Sequence, residues 1–245
     1  MAKDRLTAIV PAYNEAARIG STVRGLRSAL CVGRIIVVDD ASIDATASHA
    51  TGAGAELIQL ARRSGKGRAV EVGLQEVDTP FVAVIDGDLA GTSALVETLA
   101  QPVLRGRADV AIAAMPMPGG RRGFGLVTGL ARWAVRRYGG IEVDNPLCGQ
   151  RVMTKQAALA VLPSARGFGL ETRSTIVHGR LGHRVTVVPV EMTHRRTGRD
   201  WAGAWHRSRQ LRDVAAEVAW WASGAGARRF PANPLPAEDL DTEGR

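Results

Sequence analysis

Residues 81–85, FVAVI, form an uncharged, apolar run rich in β-branched side chains, and the run stops at once in Asp86, Gly87 and Asp88. Such a run reads as a strand buried on both faces, the condition of a parallel sheet covered by helices. Two carboxylates at the carboxyl end of that strand sit where open α/β sheets bind ligands, and a pair there can hold a hard divalent cation against a phosphate. The same residues also suit a solvated Asp-Gly turn leading into a helix cap. The other strand ends have to decide between the two.

The pattern recurs along the first half. Residues 6–10 make an apolar run ended by Pro11, and Ala12-Tyr13-Asn14-Glu15 turns into a helix whose Ile19, Val23, Leu26 and Leu30 are spaced by four, three and four. Residues 34–38 end in Asp39-Asp40, after which Ser42 or Asp44 can cap a short helix through Ala50. Residues 56–60 are followed by Gly65-Lys66-Gly67 and a helix through Val77, and a helix over 93–104 precedes a strand over 108–114. Strands alternating with helices predict βαβ units and a mostly parallel twisted sheet flanked by helices.

The second half is less regular. Residues 115–124, with two prolines, three glycines and two arginines, read as a loop. Residues 125–138 predict a basic amphipathic helix with Leu126, Leu130, Trp133 and Ala134 on one face; that face suits either a core or an anionic membrane surface. Strands are expected over 150–153 and 184–190, and helices over 155–162, 170–181 and 201–221, the last with a stripe of Trp205, Leu211, Val214, Val218 and Trp221. From Ser223 onward glycine, alanine, proline and acidic residues predict a disordered tail over 223–245.

The formal net charge is +8, and Lys3, Lys66 and Lys155 are the only lysines, so arginine carries the excess. That suits phosphorylated metabolites, nucleic acid or an acidic membrane surface, although arginine-rich coding alone gives the same composition. Cys31 and Cys148 are too few and too far apart for a disulfide framework or a zinc ribbon, so reduced thiols are expected. No apolar leader precedes the first strand, and no stretch approaches the roughly 18 uncharged apolar residues of a membrane span. The expectation is a cytoplasmic protein, at most peripheral to the cytoplasmic membrane face.

Each strand end carries groups that can bind. Asp39 and Asp40 can accept hydrogen bonds from a base or a ribose, or cap a helix. Lys66 between glycines can approach a phosphate, but its surroundings lack the upstream glycine and the Ser or Thr of a P-loop. Taken together, PAYNEA, VVDDAS with the following Asp44, GKGRAV and IDGDL resemble the N-terminal half of the inverting family-two glycosyltransferases of GT-A fold, over about residues 5–92. The resemblance implies that Pro11, Ala12, Tyr13, Glu15, Asp39, Asp40, Lys66, Asp86 and Gly87 bind a UDP- or GDP-linked sugar. It also implies that Asp86 and Asp88 hold Mg²⁺ or Mn²⁺ on the diphosphate, Asp88 as the main ligand.

The second half is similar to dolichyl- and polyprenyl-phosphate sugar synthases in GGIEVDNPLCGQRV and GFGLET. Asp144, Gly149, Arg151 and Glu171 fill the matching places, while Gln150 stands where an aromatic residue is usual. The resemblance implies one GT-A domain over residues 1–222, with a nucleotide-binding half to about residue 114 and an acceptor half from 115 to 222. Arg151, Arg195 and Arg196 would then hold a phosphorylated or lipid-phosphate acceptor. His194 would be a further metal ligand, as in the similar glucosyl-3-phosphoglycerate synthases. The implied reaction is a single displacement with inversion. A hydroxyl acceptor needs a base, for which Glu171 is the candidate, and a phosphate acceptor needs only orientation by it. A polyprenyl phosphate is the expected acceptor, with a soluble phosphorylated acid or a sugar hydroxyl as alternatives. A basic nucleic-acid-binding protein is the reading from a different class and rests on the arginines over 195–212. No base-reading motif accompanies them, and the carboxylates gather where a nucleic-acid backbone would be repelled, so nucleic acid is not expected.

Overall fold

The computed structural model describes residues 6–115, 125–162, 169–193 and 201–232, with side chains described from residue 210 in the last stretch. Among the described residues, seven strands form one sheet in the order β3-β2-β1-β4-β6-β5-β7. They are β1 (Leu6–Ala12), β2 (Val32–Asp39), β3 (Glu56–Gln59), β4 (Phe81–Val84), β5 (Val110–Ala114), β6 (Arg151–Thr154) and β7 (Val185–Pro189). Neighbouring strands run parallel except at β6, which is antiparallel to both β4 and β5. The mostly parallel sheet is the one the alternating pattern predicts. Its centre is dry: Leu6, Ala8, Ile9 and Val10 of β1 and Val82 and Ala83 of β4 are wholly buried.

From β1 the chain moves one way to β2 and β3, then returns to β4 on the other side of β1. A reversal of this kind opens a crevice at the carboxyl ends of the two central strands. Helix α1 (Ile19–Ser28) lies against a 3₁₀ turn (Ala90–Leu95) that leads into α4 (Val96–Leu104). A Cβ at Gly25 would stand 2.3 Å from Ser93 Oγ, so glycine is what lets α1 lie that close behind the β4 turn.

Local differences from the expected elements have physical causes. Pro11 lies inside β1, paired with Val38 of β2; the β4 ladder ends at Ile9 with Val84, so the missing N–H disturbs no bond on that side. Leu30 lies past the end of α1 and is 64% exposed. Helix α2 (Thr46–Gly52) has no side-chain cap; Asp44 instead accepts from Thr46 N and Ala16 N, and Ser42 supports the β1 turn.

Helix α5 (Gly125–Ala134), which continues as a π-helical turn (Val135–Gly139), buries Val127, Ala131, Ala134 and Val135. Leu126 and Trp133, placed on one apolar face with Ala134, are exposed. Small residues give α5 its close approach to α8 (Trp201–Ala222), where Val127 and Ala131 meet Val214. Leu211 of the predicted α8 stripe is likewise exposed, whereas Val214 and Trp221 are buried. Trp205 and most of the 115–124 loop fall outside the described side chains.

The tail is ordered farther than composition suggests. Residues Ala225–Arg229 form α9, and Phe230 packs on Trp220 and Trp221. Arg173 and Arg180 come from α7 (Gly169–Arg180). Arg180 Nε donates to Phe230 O at 2.7 Å, and Arg173 makes two 2.8 Å bonds to the Glu217 carboxylate while lying over the Trp220 ring. Aromatic burial and the two arginines hold what glycine and alanine alone would not. Among the described residues, no helix is long and apolar enough to cross a membrane.

Behind α7 lies a buried polar chain. Arg151 Nη1 donates to Ser174 Oγ, which is 3.2 Å from His178 Nε2, and His178 Nδ1 is 3.0 Å from His183 Nδ1. One proton fits between two Nδ1 atoms and two do not, so the pair resists full protonation. Burial pushes His178 well below the ordinary histidine value, with the charge of Arg151 and the neighbouring His183 adding to it; burial also lowers His183, against the opposing pull of Asp109. An unfolded chain protonates both near pH 6.5. The folded state therefore binds fewer protons below that pH, and stability falls as pH drops from about 6.5 until the folded histidines take up theirs, at up to about 1.4 kcal/mol per pH unit for each. Thermal melts from about pH 7.5 to 5 are expected to show a falling Tm that His178→Gln flattens. An unchanged slope in that variant would contradict the assignment.

Candidate active site

The carboxyl ends of β1, β2 and β4 bring residues 11–15, 39–40 and 86–88 to one edge of the sheet. Side chains from the next segment build the turn after β1. Asn14 N donates to Ser42 Oγ at 2.9 Å, Glu15 N to Thr46 Oγ1 at 2.8 Å, and Ile43 N to Asn14 Oδ1 at 3.0 Å. Asn14 has φ of 54°, the left-handed region that asparagine tolerates better than most residues. The turn after β4 hangs on α1: Thr22 Oγ1 donates to Gly87 O at 2.8 Å and accepts from Ala90 N at 2.9 Å, while Arg18 donates to Asp88 O. A Cβ at Gly87 would lie 3.6 Å from both Ala12 Cβ and Glu15 Cγ, so the two turns meet. Nothing in the sequence pattern singles out Thr22 or Arg18.

Asp39 and Asp40 lie under this edge, not on it. Asp40 is 4% exposed and accepts from Ser64 N at 2.6 Å and Gly65 N at 2.7 Å, one with each oxygen. Asp39 is 1% exposed and accepts from Ser42 N and Ser42 Oγ. Their charge holds the loops that carry Lys66 and Ser42, which leaves almost no carboxylate surface for a base or ribose. The aromatic group at the edge is Tyr13, whose ring lies 4.0 Å from the Arg63 guanidinium. Arg63 is a contact that charge composition alone could not single out.

Gly65 has φ of 91° and turns the chain so that Lys66 opens α3 (Lys66–Gln75). Lys66 Nζ is 2.7 Å from Asp86 Oδ1 and 2.7 Å from Glu171 Oε1, uniting three residues that the sequence offers separately. Burial by itself lowers the Lys66 pKa, and the two carboxylates outweigh it, holding the ammonium above the ordinary lysine range. Asp86 Oδ2 accepts from Gln150 Nε2 at 2.6 Å, and Asp86 N donates to Gln150 Oε1 at 2.9 Å. A Cβ at Gly149 would come within 2.5 Å of Lys66 Nζ and 2.9 Å of Asp86 Oδ2, so the loop before β6 closes over the ion cluster only with glycine there.

Glu171, 6% exposed, is the anchor on the α7 side. Arg151, 3% exposed, donates to Cys148 O, Pro146 O, Glu171 O and Ser174 Oγ at 3.0–3.2 Å. Expected to meet an acceptor phosphate, its guanidinium instead braces the Glu171 backbone and the loop before β6. Asp144 is exposed, and its carbonyl accepts from Arg132. His194, Arg195 and Arg196 lie outside the described residues. Among the described residues, no group of three His, Cys, Asp or Glu side chains is arranged to hold a metal. Asp86 and Asp88 are both partly exposed just past the end of β4, and two carboxylates are a donor set that fits an ion such as Mg²⁺, which takes one or two carboxylates and fills its shell with water and substrate phosphates.

A mostly parallel sheet with carboxylates and a lysine gathered at its strand-order reversal defines a nucleotide-binding α/β protein of GT-A type. The glycosyl transferase family 2 profile matches residues 7–145, more than half of the chain, and the chain belongs to that family. It is 28% identical over 202 residues to glycosyltransferase AglJ of Haloferax volcanii, covering 80% of this chain and 66% of that protein. It is 26% identical over 210 residues to the undecaprenyl-phosphate mannosyltransferase of Micrococcus luteus, covering 79% of this chain and 86% of that one. Among solved structures, glucosyl-3-phosphoglycerate synthase of Mycobacterium tuberculosis, in complex with Mn²⁺, UDP and glucosyl-3-phosphoglycerate, superposes with a TM-score of 0.71 at 27% identity. That match covers 89% of this chain and 81% of the synthase. The family match ends at residue 145, before Gln150, Arg151 and Glu171.

Removing the shared cation tests whether the three charged groups form one unit. Lys66→Met leaves two carboxylates facing each other, which costs about 2 kcal/mol, below the 3–5 of a fully buried pair because Lys66 is 29% exposed. Denaturant melts measure it. The loss is expected to shrink when Glu171→Gln accompanies Lys66→Met, and additive losses would show that the groups act apart.

Proposed function

We propose that this chain is an inverting, metal-dependent glycosyltransferase that moves a sugar from a nucleoside-diphosphate sugar to a phosphate acceptor, a polyprenyl phosphate in the first instance. The observation that carries the choice of acceptor is the 2.7 Å contact between Lys66 Nζ and Glu171 Oε1, with Glu171 almost wholly buried. A proton delivered to Glu171 would break that ion pair. An acceptor that needs no deprotonation suits the site better, and a phosphate oxygen is already ionised near neutral pH. The similarity to an undecaprenyl-phosphate mannosyltransferase supports the same acceptor.

For the donor, Tyr13, Glu15, Pro11 and Ala12 offer the turn after β1, and Gly87 brings the β4 turn against it. Asp88, with Asp86 sharing, would hold Mn²⁺ or Mg²⁺, the ions present with UDP in the similar synthase structures. Such a cation, when bound, neutralises charge growing on the departing nucleoside diphosphate. The chain's own residues keep the leaving group aligned and the acceptor oxygen in line behind the anomeric carbon. His194, Arg195 and Arg196 would add to the cation and to the phosphates from the segment after β7. UDP-linked sugars are the first donors to test, because the similar synthase is solved with UDP-glucose and phosphoglyceric acid.

That similarity also favours a second reading, transfer to a soluble phosphorylated acid. Its hydroxyl would have to lose a proton, and Glu171 would have to release Lys66 to take it. Offered UDP- and GDP-sugars together with polyprenyl phosphate and phosphoglycerate, the enzyme is expected to yield the glycosylated lipid phosphate, and Asp88→Ala to yield none. Mass spectrometry of the products decides. Glycosyl-phosphoglycerate alone would select the second reading, and wild-type turnover by Asp88→Ala would remove the metal role.

A lipid acceptor asks for membrane contact, and α5 offers the surface for it. Leu126 and Trp133 are 85% and 50% exposed, and Arg132, Arg136 and Arg137 beside them are exposed as well. Apolar and aromatic groups flanked by arginine suit an anionic headgroup layer at the cytoplasmic face. Flotation with anionic liposomes is expected to carry the protein upward, and Leu126→Ser with Trp133→Ser to reduce this severalfold. Equal flotation of the double variant would move the contact elsewhere.

A further inference from the structure

Gln150 is a polar side chain that is wholly buried. It stands one residue before β6, just past the last β4–β6 pair of Val84 with Arg151, and its carbonyl accepts from Ala113 N of β5 at 3.0 Å. Its backbone is thus tied to β5, while the next residue, Arg151, pairs with β4. Its side-chain amide reads Asp86 twice: Oε1 accepts from Asp86 N, and Nε2 donates to Asp86 Oδ2. Asp86 Oδ1 belongs to Lys66, whose other contact is Glu171. A chain of polar contacts therefore runs from β6 through Asp86 and Lys66 to α7.

An amide has an acceptor and a donor on one rigid plane. With its acceptor on the Asp86 N–H and its donor on the Asp86 carboxylate, Gln150 fixes both the backbone at the strand end and the rotation of the carboxylate. We propose that Gln150 is a positioning residue that holds Asp86 in its Lys66-bound orientation, so that Asp86 serves as the anchor of the crevice while Asp88 supplies the main carboxylate to the cation. This rests on the donor-site reading above, and it adds a residue beyond the family match and outside the metal carboxylates.

If Gln150 acts through Asp86, its loss has no effect once Asp86 is gone; if it only fills space, its loss weakens binding in either background. The experiment is a double-mutant cycle on the full chain, with affinity for UDP and for GDP in Mn²⁺ measured by calorimetry and the fold checked by circular dichroism. Gln150→Met, similar in length and without hydrogen bonds, is expected to weaken nucleotide binding roughly tenfold in the wild-type background and less than about twofold on Asp86→Ala. If Gln150→Met does not fold, Gln150→Glu replaces it. Glu keeps the acceptor for Asp86 N and sets a carboxylate against Asp86 Oδ2, so it must again weaken binding only while Asp86 is present. Equal losses in both backgrounds, or no loss in the first, would overturn the positioning role. Complete loss of binding in Asp86→Ala would make Asp86 the principal metal ligand and overturn it as well. Absence of saturable binding of either nucleotide to the wild type would instead remove the donor reading on which it rests.

Discussion

The ammonium of Lys66 ties together the parts of this structure that chemistry would use. It is the first residue of α3, yet it touches a carboxylate from the end of β4 and another from the first turn of α7, 105 residues farther along the chain. Two carboxylates that share one ammonium, Glu171 buried and Asp86 partly exposed, repel each other, and the cation between them offsets that repulsion. A lysine suits this because its ammonium is a compact charge that can contact two acceptors without imposing a plane. The position of the first turn of α7 is consequently tied to the end of β4.

Around that contact, most of the charged and polar residues are occupied in holding others still. Asp40 fixes the Ser64-Gly65 loop that delivers Lys66, and Asp39 fixes the Ser42 turn that supports Asn14. Thr22 holds the β4 turn from behind, and Arg151 holds the backbone of Glu171. Each of these groups is buried and bonded, as low surrounding polarity requires of a charge or an amide inside a protein. A group already satisfied by the protein has little capacity left for a ligand.

That distinction is what the sequence leaves open. Apolar runs ending in polar residues locate the strands and their carboxyl ends, because burial on both faces of a parallel sheet leaves a plain compositional trace. They bring Asp39, Asp40 and Asp86 to the right edge of the sheet, but whether a carboxylate faces solvent or a neighbouring loop depends on the path of that loop. The same limit applies to α5. Leu126, Leu130 and Trp133 form the more apolar stripe, yet the helix buries Val127, Ala131 and Ala134, because close packing against α8 rewards small residues over large ones. At the tail, composition gives no hint that Arg180 and the aromatic cluster around Trp221 hold Phe230 in place.

The strand that links the two halves explains why they cannot vary independently. β6 enters the sheet between β4 and β5, antiparallel to both, and so brings residues 149–151 against the end of β4. At 149 a side chain would collide with Lys66 and Asp86; at 150 the amide sets the angle of Asp86; at 151 the guanidinium reaches back to the carbonyl of Glu171. Three consecutive residues thus address three different members of the ion cluster. The family match stops at residue 145, just before this strand. Residues past that boundary nevertheless shape the carboxylate at the core of the matched half, and a substitution at 150 is felt at 86 because the Gln150 amide bonds both the backbone N–H and a carboxylate oxygen of Asp86.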